Sequence, residues 1–128
     1  MSIAQVQEVI NRNQLVSLLL MQGYNVYLPV YDSGIDLIAH NESTNQTLNI
    51  QLKARWTIMR KYVDRNIYIA FPDNDKWYLA PHEMMVAIGH QLNFTTTKSW
   101  LEEKYGHHYN CPKLSKKLKE AMKPYLLE

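Results

Sequence analysis

The sequence predicts an α+β fold: a mixed sheet of about five strands flanked by helices and opened by one long N-terminal helix. Two observations carry that prediction. Apolar residues recur at helical spacing up to Gly23 and again after Pro81, whereas the stretch between them is rich in β-branched and aromatic residues that alternate with polar ones. Turn clusters at Asp32-Ser33-Gly34, at Asn41 to Gln46 and at Pro72 to Asp75 then cut that stretch into strand-length pieces.

Ser2 and Gln5 form a capping box, in which the Ser2 hydroxyl and the Gln5 amide satisfy orphan backbone donors at a helix start. Val6, Val9, Ile10, Val16, Leu19 and Leu20 follow at helical spacing and Gly23 supplies a left-handed stop, so the first helix runs from about Ile3 to Gln22. At 1.5 Å per residue it is about 30 Å long. The strands are expected at Tyr24 to Val30, Ile35 to His40, Thr47 to Arg55, Asn66 to Phe71 and Lys76 to Leu79. The second and third form an antiparallel hairpin across Asn41 to Gln46, and the last two form another across Pro72 to Asp75. Pro81 reads as the first residue of a helix ending near Gly89, since its missing N–H is not needed there. Two further helices are expected, one from about Lys98 to Tyr105 and one that follows Pro112 and runs to about Lys123, where Pro124 ends it.

At 128 residues and 46% hydrophobic composition the chain has the size and apolar content of one domain, with a core over about residues 3–90 and a helical extension over about 97–127. No run approaches the roughly 20 apolar residues of a membrane span. No basic leader with an apolar core opens the sequence, which points to a cytoplasmic setting. Cys111 is the single cysteine, so an internal disulfide framework and a multi-cysteine zinc site are both excluded. His107, His108 and Cys111 read as a surface turn, because a metal site would need a further ligand at suitable spacing. A formal charge of +2 and a pI near 8.6 are compatible with a nucleic-acid partner without arguing for one.

Chemistry concentrates on the first hairpin. Centring its turn between Ser43 and Thr44 sets Asp36 opposite Gln51. Along the third strand Leu48, Ile50 and Leu52 point one way, and Asn49, Gln51 and Lys53 the other. Burial of Leu37, Leu48, Ile50 and Leu52 fixes the register, since a slip of one residue would put all four in water. Asp36, Gln51 and Lys53 therefore share a face. A carboxylate, an amide oxygen and a backbone carbonyl on adjoining strands are hard oxygen ligands of the kind Mg²⁺ takes. An ammonium beside such an ion can orient or deprotonate water and steady charge on a phosphate.

The helix carrying Glu8, then Ser33-Gly34-Ile35-Asp36-Leu37-Ile38-Ala39, then Ile50-Gln51-Leu52-Lys53, together resemble the PD-(D/E)XK nuclease superfamily over roughly residues 3–90. That superfamily holds restriction endonucleases, Holliday-junction resolvases and some homing endonucleases. The resemblance implies a restriction endonuclease-like fold, a metal ion held by Asp36, Gln51 and the Leu52 carbonyl, Lys53 as the catalytic lysine and Glu8 as a supplementary acid. Two departures stand out: Ile35 replaces the usual proline, and Gln51 replaces the second acid. Glutamine supplies an oxygen without a charge, so a weaker hold on Mg²⁺ is expected.

Arg55, Arg60, Lys61 and Arg65, at or beyond the end of the catalytic strand, are the candidate DNA phosphate contacts; a solvated loop is the alternative. Trp56 either packs in the core or lines the cleft. Lys113, Lys116, Lys117, Lys119 and Lys123 surround an apolar stripe of Leu114, Leu118, Ala121 and Met122, as in an amphipathic helix packed on the body. The expectation is a Mg²⁺-dependent deoxyribonuclease, with Mn²⁺ as substitute metal, acting as a homodimer or higher homo-oligomer on DNA. The alternative is a catalytically weak or inactive nuclease-fold accessory factor that binds DNA or protein.

Overall fold

The computed structural model describes residues 2–127. Helix α1, Ile3–Met21, begins at the expected capping box: the Gln5 N–H donates to the Ser2 hydroxyl at 3.2 Å, and the Ser2 N–H donates to the Gln5 side-chain oxygen at 2.8 Å. Strands β1 (Tyr24–Tyr27), β2 (Leu37–Asn41), β3 (Gln46–Leu52), β4 (Trp56–Met59), β5 (Tyr68–Asp73) and β6 (Lys76–Pro81) follow. Helix α2 (His82–Gln91), the short helix α3 (Lys98–Leu101), β7 (His108–Cys111), α4 (Lys116–Met122) and β8 (Leu126–Leu127) complete the chain.

The main sheet has six strands in the order β1-β2-β3-β5-β6-β8, and β4 pairs with β7 in a separate antiparallel ribbon. Within the main sheet β3 and β5 run parallel and every other pair is antiparallel. This is the α+β, restriction endonuclease-like architecture, with more strands than the five expected. The β2–β3 register, Leu37 opposite Ile50 and Asn41 opposite Gln46, is the one that the loop's symmetry predicts.

Alternation along the central strands gives the sheet two apolar faces. Leu15 and Leu19 of α1 cover Leu37, Ala39, Leu48, Ile50, Ala70 and Trp77 on one side. On the other, Ile69, Phe71, Tyr78 and Ala80 pack with Trp56 and Ile58 of the ribbon, Met85 of α2, and Leu118 and Met122 of α4. The C-terminal lysines thus flank an apolar stripe that is packed on the body.

Several expectations change. β1 stops at Tyr27, because Pro29 has no N–H to donate to a ladder. The third predicted strand ends at Leu52, and its continuation past Ala54 and Arg55 becomes β4, which leaves the main sheet. Trp56 is fully buried and meets Phe94 edge-to-face at 5.5 Å, so it packs in the core and does not line the cleft. The turn expected at His107 to Cys111 contains strand β7, whose Cys111 pairs with Trp56. Pro81 closes β6 opposite Tyr68 and precedes α2, its fixed φ of −57° suiting both roles. α3 gives way after Leu101 to a 3-10 turn, Glu103–Tyr105. α4 starts later than expected because Ser115 caps it, accepting from the Leu118 N–H at 3.2 Å. Among the described residues no helix is long and apolar enough to cross a membrane.

Candidate active site at the β2–β3 strand ends

Asp36 lies one residue before β2 and extends the hairpin's pairing: its N–H donates to the Ile50 carbonyl at 2.8 Å. Its carboxylate Oδ2 accepts the Leu52 N–H at 2.8 Å, which pins the side chain to the end of β3. The Lys53 N–H donates to the Ala70 carbonyl at 2.9 Å, so the residue after β3 is anchored to β5. Asp36, Gln51, Leu52, Lys53 and Glu8 all line one cavity of about 560 Å³, bounded by Val9 and Arg12 of α1 and by Leu28, Pro29 and Asp32 of the β1–β2 loop. The strand residues come from neighbouring segments of one hairpin, whereas Glu8 lines the cavity from α1.

Burial is the main influence on the charges here. It raises the pKa of Asp36, the Leu52 N–H opposes that rise, and the charge and hydrogen bond of the neighbouring Asp32 add to it. Burial likewise lowers the pKa of Lys53, and the charge of Lys61 lowers it further against the pull of Asp36. The Gln51 amide oxygen Oε1 is buried and finds no hydrogen-bond partner among the described residues. A divalent cation suits the Asp36 carboxylate and the Gln51 amide oxygen: it takes oxygen ligands, favours the charged carboxylate, and partners an amide oxygen left without a donor. Among the described residues, however, no three His, Cys, Asp or Glu side chains are grouped so as to hold a metal ion.

Two contributors escape a reading of the sequence. Asp32 sits in the Asp-Ser-Gly turn, where its Oδ1 accepts from the Gly34 and Ile35 N–H groups at 2.8 and 3.1 Å. Gly34, at φ +96°, takes the left-handed conformation that folds this turn back toward Asp36. The turn signal is visible in the sequence, but the second carboxylate is not. Tyr62 is buried, with the Lys53 and Lys61 ammonium groups 5.6 and 5.3 Å from its ring centre. It thus offers both lysines the negative face of one ring.

The four candidate phosphate contacts are not equivalent. Arg60 Nη1 lies 3.0 Å from His107 Nδ1 and donates to the Trp100 and Leu101 carbonyls at 3.5 and 3.4 Å, tying the 3-10 turn after β4 to α3. Arg65 Nη2 donates to the Ser33 carbonyl at 3.1 Å and braces the turn that carries Asp32. Arg55 and Lys61 are exposed.

The fold is similar to that of a solved homing endonuclease. The bacterial homing endonuclease I-Ssp6803I superposes with a TM-score of 0.55 at 15% identity, over 91% of this chain and 80% of that one. At this identity the likeness is one of fold. No protein-family model matches the chain, and no curated protein sequence does.

Proposed function

We propose that this protein is a catalytically weak nuclease-fold factor that binds DNA at the strand ends carrying Asp36, Gln51 and Lys53. One observation carries the reading: the site pairs its half-buried carboxyl with an uncharged glutamine, and no group of three metal-binding side chains occurs among the described residues. A single amide oxygen in place of a carboxylate lowers the affinity for Mg²⁺. Arg55 and Lys61, exposed beyond β3, supply positive charge for a phosphate backbone. A cytoplasmic setting and a homodimeric state belong to the same reading.

A second reading, a Mg²⁺-dependent DNA endonuclease, is favoured by the unpartnered Gln51 Oε1. In that reading Asp36, Gln51 and the Leu52 carbonyl would hold the ion, with Glu8 as an accessory acid. Bound Mg²⁺ or Mn²⁺ would polarise the phosphodiester and acidify water. Lys53, whose charge is disfavoured by burial and by Lys61, would exchange a proton at Nζ with the attacking water.

The assay that separates them offers plasmid, single-stranded and branched DNA, with RNA alongside, to the wild type, Lys53→Ala and Asp36→Ala, with and without Mg²⁺ or Mn²⁺. We expect DNA binding without added metal, and slow cleavage that disappears in both variants. Rapid multiple-turnover cleavage would establish the second reading. Cleavage surviving both substitutions would exclude this site as its source.

A further inference from the structure

Helix α1 does more than cover the sheet. Its inner side buries Leu15 and Leu19, and its two charged residues, Glu8 and Arg12, line the cavity. Ile3, Val6, Ile10, Asn13, Ser17 and Leu20 succeed one another at alternating intervals of three and four, the spacing that places side chains along one seam of a helix. All six are exposed: Ile3 is 90% accessible, Val6 41%, Ile10 43% and Leu20 54%. Val9 and Met21 flank the seam and are also open, at 40% and 80%.

We propose that this seam pairs with the same seam of a second copy of the chain, parallel and in register about a two-fold axis. Area, charge and register each argue for that occupant. The four apolar seam residues Ile3, Val6, Ile10 and Leu20, with the flanking Val9 and Met21, offer on the order of 600 Å² per copy, at the upper end of the patch a typical monomer exposes and most of the roughly 800 Å² each partner gives to a standard interface. A two-fold interface must be complementary to itself, which suits an uncharged seam in which no like charges would be brought together. Parallel pairing sets Asn13 against its own counterpart and Ile10 against Ile10, so polar meets polar and apolar meets apolar. Antiparallel pairing would bury Asn13 against Ile10 and Ser17 against Val6. The seam spans about 27 Å of helix and leaves the charged cavity-lining residues Glu8 and Arg12 outside it, with Val9 at the boundary between seam and cavity. The inference rests on the homodimeric state proposed above and gives it a surface, without depending on DNA binding or cleavage at the site.

Sedimentation of the full chain at tens of micromolar tests it. The wild type is expected as a dimer of the 15.1 kDa chain. Ile10→Glu, with an unchanged circular dichroism spectrum, should raise the dimer dissociation constant on the order of 100-fold or more through like-charge apposition. Asn13→Cys in a Cys111→Ser background should cross-link to its counterpart under mild oxidation, because parallel in-register seams bring the two positions together. A monomeric wild type overturns the proposal, as does an Ile10→Glu protein that stays dimeric. A dimer whose Asn13→Cys form does not cross-link overturns the parallel register. A monomer that floats with anionic phospholipid vesicles would reassign the seam to a membrane surface.

Discussion

Acidification from pH 7 to about 4.5 is expected to remove roughly 2–3 kcal/mol of stability through one side chain, His82. Its Nε2 accepts the Met59 N–H at 3.0 Å, so the neutral ring carries its proton on Nδ1, which is buried without a hydrogen-bond partner among the described residues. The ring meets Tyr62 edge-on at 5.6 Å and is 1% accessible. Burial lowers its pKa from 6.5 to about 4. The unfolded chain therefore takes up the proton first as the pH falls. The contribution of His82 is complete above about pH 6.5, declines between 6.5 and 4, and is flat below that. Urea unfolding across this range checks it, with His82→Gln as reference because glutamine can still accept the Met59 N–H and does not titrate. A wild-type curve parallel to that of the variant would show that His82 does not govern the loss.

Ile50→Ala is expected to cost about 2–5 kcal/mol, the range for deleting a buried aliphatic side chain from a packed core. Ile50 is fully buried, lies opposite Leu37 of β2 and Tyr68 of β5, and its carbonyl accepts the Asp36 N–H. It joins the hairpin to the parallel pair and adjoins Gln51. Thermal or urea unfolding reads the cost directly. A loss below 1 kcal/mol would mean that the hairpin face is held by other contacts.

The hairpin was legible because its signals are local. Leu48 and Ile50 alternate with polar neighbours, and a symmetrical polar loop leaves one register that buries Leu37 with them. The capping box at Ser2 was legible for the same reason. The ribbon of β4 and β7 was not. Trp56 to Met59 follows β3 after a short break without glycine or proline, and its partner, His108 to Cys111, lies some fifty residues later between turn-forming Gly106 and Pro112. Its pairing is decided by tertiary packing of Trp56 and Ile58. The second carboxylate at the site was hidden likewise: Asp32 has a sufficient local role in its turn, and only the fold sets it beside Asp36. Arg60 and Arg65 read as free cations in a basic loop, yet both guanidinium groups hold backbone carbonyls.

The central claim is that the shared face of Asp36 and Gln51 is a cation site, and titration of the purified chain with Mn²⁺, followed by the loss of its free-ion electron paramagnetic resonance signal, tests it most directly. One weakly bound equivalent is expected in the wild type, lost in Asp36→Asn and reduced in Gln51→Ala while both variants remain folded. Equal uptake by all three proteins, or none by the wild type, would contradict it.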